Sequence, residues 1–269
     1  MVRPLGFLVG LGFIAALVLA IFTTPLSNEP NVANSFVKQP RTLKLASDGV
    51  VPHWDIAQLQ RGMQVYKEVC SACHSLNLVA FRDIEALGYT EGQVKSFAKG
   101  FQVSSINPDT GEPATREGLT SDYFPAPYPN DVAAAAANGN AIPPDLSLIT
   151  KARENGKNYV YSLLSGYQNP PANLPQSLQP GPGLHYNPYF PNLNLAMAKP
   201  LADDQVTYAD GTKASVDQMS KDVTAFLVWT AEPKLVKRVQ VGWAVLLYLL
   251  GFTALTYLSY RNIWADKEH

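Results

Sequence analysis

Two thiols three positions apart, followed at once by an imidazole, stand at Cys70-Ser71-Ala72-Cys73-His74. A C-x-x-C-H run is the attachment signature of a c-type haem. Each thiol can form a thioether to one vinyl group of the porphyrin, and the histidine is then held where its ring can bind the iron. These are the only two cysteines in 269 residues. A structural zinc site needs four ligands, commonly a second Cys or His pair, and a dithiol redox motif needs a βαβ surround. The sequence offers neither. The motif occurs once, so one covalently attached haem c is expected.

An iron held by His74 needs a sixth ligand or an open position. Met1 and His269 lie at the termini, while Met63 and Met219 fall on apolar stripes, where methionine usually fills core space. Met197 lies instead in Asn192-Leu193-Asn194-Leu195-Ala196-Met197-Ala198-Lys199-Pro200, a loop without helical periodicity after a proline-rich stretch. It is the first candidate, and His185 is the second, since imidazole also ligates iron.

The motif has to be carried by helices. Asp55 is a plausible N-cap for a helix running to Cys70, with Ile56, Leu59, Met63, Tyr66 and Val69 on one face. Gly62 near that face costs about 1 kcal/mol of helix propensity, which is reasonable if another helix approaches closely. The expected partner is Ser215 to Thr230, with Val216, Met219, Val223, Phe226 and Leu227 on its stripe and Pro233 beyond its end. Between them the chain reads mostly as loop: Pro125 to Asn130 and Asn169 to Pro191 are loops by composition. Asn158 to Gly166 reads as a short helix and Ala133 to Ala137 as a helical turn. The expected fold class is therefore mostly α, a cytochrome c-type haem domain with long loop insertions and membrane helices.

From Val239 to Tyr260 there are 22 residues without a charge, enough for a helix to span about 30 Å of hydrocarbon. Trp243 near one end, with Tyr260 and Trp264 near the other, resembles an interfacial aromatic belt. Leu5 to Phe22 is also apolar. It is long for a signal h-region and no clean small-residue cleavage site follows, so retention as a second membrane helix is expected. The organisation read here is 1–27 as signal or signal-anchor, 28–233 as an extracytoplasmic haem domain, and 234–269 as C-terminal anchor and tail. Residues 28–233 hold 15 of the 21 basic and 20 of the 22 acidic residues, a net −5, suited to steering a basic redox partner. Asp109, Glu112 and Glu117, with Arg116 the only nearby base, are expected to form an acidic docking loop.

Several segments carry a more specific likeness. Arg61 to Ser75, Ser121 to Asn130, Asn138 to Ser147, Asn158 to Tyr167, and Asn187-Pro188-Tyr189-Phe190-Pro191 with Met197 resemble, in that order, the cytochrome c1 family. The resemblance covers nearly all of residues 50–260. It implies electron transfer within a cytochrome bc1 complex, not bond chemistry by this chain alone. A Rieske iron–sulfur protein would be the donor, cytochrome b a neighbouring subunit, and a soluble or anchored c-type cytochrome the acceptor. No nucleic-acid partner is expected. The resemblance also implies Cys70 and Cys73 as haem attachments, His74 and Met197 as iron ligands, Arg153 beside a propionate, Tyr159 near the haem, and Pro143-Pro144 as a turn against its face. Some bacterial relatives carry an additional cysteine pair that this chain lacks. A long Arg- and Ser-rich presequence is also missing, which points to a bacterial inner membrane with the haem domain on the periplasmic side.

Two other readings use the same residues. A freestanding membrane-anchored shuttle needs a compact haem domain on a flexible tether, but this domain is about twice minimal length and no Gly/Ser run precedes Val239. A haem peroxidase needs an open iron position, against which Met197 argues.

Overall fold

A computed structural model describes residues 2–23, 32–265 and 267. The expected boundary at 27/28 lies outside the described residues, as do Met1 and His269. Two compact units divide between Ser35 and Phe36. The first holds helix α1 (Val2–Thr23), whose 6–23 stretch is long and apolar enough to cross a membrane, and a short 3-10 turn at Val32–Ser35.

The second unit is organised on one helix crossing. Helix α2 (Ile56–Glu68) starts where Asp55 accepts the Gln58 N–H at 3.0 Å, satisfying one of the orphan donors of the first turn. Helix α3 (Glu91–Lys99) follows a 3-10 segment at Phe81–Leu87 and is capped reciprocally by Thr90 and Gln93. An antiparallel hairpin comes next, β1 (Gln102–Ile106) with β2 (Pro113–Glu117), in the register Val103 opposite Arg116. Helices α4 (Asp131–Ala137), α5 (Ile149–Ala152) and α6 (Gly156–Ser165) are short. A two-residue ladder joins β3 (His185–Tyr186) to β4 (Asn194–Leu195). Helix α7 (Val216–Ala231), capped by Ser215, and helix α8 (Leu235–Trp264) complete the chain.

Helices α2 and α7 pack through Leu59, Met63, Tyr66, Met219, Val223 and Phe226, all nearly fully buried. A Cβ on Gly62 would collide with the Asp222 carbonyl oxygen and lie 2.7 Å from Phe226 Cβ. The glycine thus sits where the two backbones meet, as its place on the stripe suggested. Beside it the fully buried Asp222 carboxylate accepts from Arg61 Nε at 3.0 Å, Gln218 Nε2 at 2.8 Å and Gln58 Nε2 at 3.2 Å. A buried charge is tolerated only when paired and hydrogen-bonded in this way. Ile56 and Val69 depart from the expected stripe: Ile56 is exposed and Val69 half-buried, because they lie at the helix ends beyond the crossing.

Helix α3 and the hairpin were not legible as elements, and they correct the reading of this region as loop. A cluster of Phe81, Phe97, Phe101 and Phe124, with centroids 4.7–6.0 Å apart, packs them onto Tyr66. The hairpin also breaks up the expected acidic loop. Asp109 and Glu112 flank the turn, where Asn107 Oδ1 accepts the Asp109 N–H, while Glu117 closes β2 at 4.0 Å from Lys99.

Arg116 is committed elsewhere, as a fork onto Asp122 at 2.6 and 2.8 Å. Hydrogen bonds from Arg116 and the Leu119 N–H hold the Asp122 carboxyl down at about 2. A carboxyl whose value falls on folding adds stability that is complete above its unfolded value, 3.8. That stability is lost as pH falls from there towards 2. Asp122→Asn is expected to flatten the acid limb in that window and to lower stability only modestly at neutral pH, since Arg116 is partly exposed. Urea melts between pH 4 and 2 test this, and identical slopes for both proteins would remove the pair as a cause.

Helix α8 contains the whole uncharged run and is long and apolar enough to span a membrane. It does not hang from a tether. Glu232, between α7 and α8, pairs with Lys151 at 2.6 Å and with Arg238, and Trp243 Nε1 donates to the Val50 carbonyl at 3.0 Å.

Candidate haem site

Helix α2 ends at Glu68, and the chain tightens into a 3-10 turn at Cys70–Ala72. The Cys73 and His74 N–H groups both donate to the Cys70 carbonyl, at 3.1 and 2.9 Å. That turn brings the two thiols and the imidazole into one short arc. Both cysteines are half-buried and are not joined as a disulfide. Burial pushes the Cys70 thiol up to about 12, and Cys73 beside it adds to the shift.

The His74 ring is oriented by its environment. Its Nδ1 lies 2.8 Å from the Pro144 carbonyl oxygen. A carbonyl can only accept, so Nδ1 carries the proton and Nε2 presents its lone pair, the tautomer that a metal-ligating histidine needs. Burial draws the imidazole below its ordinary value, against the opposing pull of the Pro144 bond and of Asp145. A neutral ring is the ligating form.

Pro144 is itself fixed by a polar knot that sequence reasoning did not single out. Asp145 Oδ2 accepts from Ser75 Oγ at 2.8 Å and the Asn77 N–H at 2.7 Å, and Oδ1 accepts the Ser147 N–H at 2.9 Å. Burial alone would raise the Asp145 carboxyl, yet these donors more than offset it and hold it low. Ser147 Oγ accepts the Leu78 N–H at 3.1 Å, and Thr230 on α7 donates to the Ser147 carbonyl at 3.2 Å. Tyr66 on α2 donates to the His74 carbonyl at 3.0 Å. The signal was available, since Asp145 and Ser147 stand next to the Pro-Pro pair. A single carboxylate among 22 acids gave no reason to choose it.

The remaining sequence candidates form a second group. Met197 is half-buried just beyond β4, and its carbonyl accepts from Tyr167 Oη at 2.9 Å. Burial raises the Tyr167 phenol, with the Tyr159 phenol nearby adding to the shift. Tyr159, on α6, is raised by burial and lowered by the charge of Arg153. Arg153 is exposed and donates to the Ala152 carbonyl at 3.1 Å, with no carboxylate partner among the described residues. Pro143 is half-buried and Pro144 exposed. His74 and Pro144 are thus in direct contact, and Tyr167 bonds the Met197 backbone, with the charge of Arg153 acting on Tyr159. Among the described residues, no hydrogen bond or ion pair joins the two groups.

The Met197 loop is stitched to α6. Buried Asn187 donates to the Leu163 carbonyl at 2.8 Å and accepts the Tyr189 N–H at 3.0 Å. Gly166 leaves no room for a Cβ against the Tyr189 ring. Leu193, fully buried, holds φ at +62°, a left-handed conformation rare for a leucine. The other candidates separate cleanly. Met63 and Met219 are core residues, 5% and 0% exposed, and His185 is exposed on β3.

A cysteine pair with the attachment spacing, a pre-set imidazole tautomer, a half-buried loop methionine and an arginine without an acidic partner among the described residues are groups suited to hold a c-type haem, and the residues present fit it. Comparison with known proteins agrees. The Cytochrome C1 family profile matches residues 45–267. A cytochrome c1 of Rhodospirillum rubrum is 43% identical over 267 residues, covering 95% of this chain and 96% of its own. A mitochondrial cytochrome c1 haem protein of Solanum tuberosum is 48% identical, covering 80% of this chain and 81% of its own. A Bradyrhizobium diazoefficiens protein named cytochrome b/c1 is 42% identical over 88% of this chain and 37% of its own length.

Proposed function

Because this chain belongs to the cytochrome c1 family, we propose that it takes electrons from a Rieske iron–sulfur protein and passes them to a c-type cytochrome. It does so as the haem subunit of a quinol–cytochrome c oxidoreductase, beside cytochrome b. Bound haem supplies the one-electron chemistry, its iron cycling between ferric and ferrous. Everything else is positioning. Cys70 and Cys73 would hold the group covalently, and His74 and Met197 would ligate its iron. The observation that carries this assignment is the 2.8 Å contact from His74 Nδ1 to the Pro144 carbonyl, which leaves Nε2 as the ligating atom.

Asp145 keeps that carbonyl in place by tying residues 75–77 to 145–147, so the imidazole cannot turn without giving up its bond to a fixed carbonyl. Tyr167 does the same for the methionine, from the backbone side. Arg153, free of an acidic partner among the described residues, would offset a propionate through charge-assisted hydrogen bonds, with Tyr159 between it and the methionine loop. Pro143 and Pro144 form a stiff wall, since neither ring has φ to yield.

The chain is membrane-anchored by its apolar C-terminal helix. We place residues 28–233 in the periplasm of a bacterial inner membrane, residues 234–269 as anchor and tail, and 1–27 as a signal or signal-anchor. A reporter enzyme fused after His269 is then active in the cytoplasm, and periplasmic activity there overturns the topology.

Affinity purification from detergent-solubilised membranes tests the assignment. The chain should bring with it a quinol-oxidising cytochrome b and a Rieske protein in equal amounts. Recovery of the fully haem-loaded chain alone would favour a freestanding shuttle. The stapled junction at Glu232 speaks against that alternative, because a shuttle depends on a loose linker.

A further inference from the structure

Residues Ala46–His53 form a closed loop whose tip is apolar and exposed. The His53 N–H donates to the Ala46 carbonyl at 3.0 Å, and Asp48 Oδ2 accepts the Leu45 N–H at 2.8 Å. Lys157 on α6 pairs with Asp48. Gly49, with φ at +87°, supplies the left-handed turn that other residues avoid. Ser47 and Pro52 are buried at the flanks, whereas Val50 is 64% and Val51 83% exposed. Single exposed valines are ordinary on a protein surface. The position of this pair is not.

The Val50 carbonyl accepts the indole N–H of Trp243 at 3.0 Å, and Trp243 belongs to α8. Arg238 is the last charge before the 22-residue uncharged run, and Trp243 stands five residues beyond it, about 7.5 Å along the helix at 1.5 Å per residue. That is the depth where tryptophans collect, with the ring among lipid and the N–H seeking a polar partner. Here the partner is the loop itself. Val51 follows within one Cα–Cα step of about 3.8 Å, so the exposed tip of the loop lies close to that level.

We infer that Val50 and Val51 form a second membrane contact, a wedge seated in the lipid interface beside α8 on the haem-domain side. The occupant is lipid because the tip continues the apolar surface of the spanning helix at the same level. With α8 it gives the domain two points of attachment to the bilayer. The inference rests on α8 being the membrane anchor and does not depend on which redox partners the domain serves.

The test uses the full-length, haem-loaded chain in its native complex, reconstituted in liposomes. With Cys70 and Cys73 consumed as thioethers, Val51→Cys is the single free thiol of the chain and takes a nitroxide label. Oxygen, which partitions into lipid, should relax this label severalfold more effectively than a water-soluble nickel chelate. Leu249→Cys, in the middle of α8, should behave in the same way, and Asp109→Cys, at the hairpin turn, in the reverse way. Adding Trp243→Phe should weaken the oxygen preference at position 51 and leave it intact at 249. A label at 51 that behaves as at 109 overturns the inference. So does an immobilised label at 51 shielded from both reagents, which would mean that a protein partner covers the tip. Loss of the oxygen preference at 249 would instead overturn the anchor, and the wedge with it.

Discussion

Met197→Leu is expected to abolish the sulfur-to-iron charge-transfer band of the ferric protein. It should also lower the reduction potential by on the order of 0.2 V, a fraction of the roughly 0.8 V that axial ligation commands. A thioether is a soft donor that favours ferrous iron, so its loss lets the ferric state gain ground. The leucine is close in volume, so packing changes little. The half-buried side chain sits on a loop pinned by Tyr167, Asn187 and the buried Leu193. Met219→Leu is the control. Met219 is fully buried against α2 and should keep both band and potential. Redox titration followed by absorbance reads both effects, and survival of the band in Met197→Leu with loss in Met219→Leu would reverse the assignment.

Gly62→Ala should be among the most damaging single-methyl additions in the chain. On an open helix this change gains about 1 kcal/mol. Here the new methyl would strike the Asp222 carbonyl oxygen and press within 2.7 Å of Phe226 Cβ, and backbone atoms cannot rotate away. Overpacking costs about 1–3 kcal/mol and sometimes more. The helices must separate, which also stretches the Arg61–Asp222 pair beside the crossing, so a net loss of about 2 kcal/mol or more is expected. For a domain of this size that corresponds to a fall in melting temperature of about 4–8 °C. Thermal melts of the holo protein followed at the haem absorbance measure it. A variant as stable as the parent would show that α2 and α7 do not meet through this glycine.

The crossing was legible because two stripes of period 3.6 carried large apolar residues and one of them held an unexplained glycine. Asp55, read as a cap, and Ser215, read as the first residue of its helix, marked the starts to within a residue. Helix α3 escaped notice despite its Thr90–Gln93 capping box, because nine residues with only Val94 and Ala98 fully buried give a weak period. The hairpin was hidden differently. Its strands alternate between exposed and half-buried residues, but Ser105 and Arg116 share the half-buried positions with Val103 and Ala114 while Ile106 is exposed, so no clean apolar alternation appears. At the site, Cys70, Cys73, His74 and Met197 stood out because their chemistry is rare in the chain. Asp145, Ser147, Tyr66 and Tyr167 did not, since their roles arise from where their hydrogen bonds end, on carbonyls and N–H groups distant in sequence.

The raised thiol of Cys70 bears on the order in which the protein comes into being. Thioether formation proceeds through the thiolate. A group raised to about 12 is ionised at neutral pH in only about one chain in 10⁵. Once α2 has packed, the thiol is a poorer nucleophile than in the open chain. Arg61 and Asp222 are 161 residues apart, so as the chain emerges with its N-terminal side first, α2 waits for its partner helix while most of the domain is still to arrive. In that interval Cys70 and Cys73 are solvated and reactive. The raised thiol therefore favours attachment to the porphyrin before the α2–α7 crossing closes.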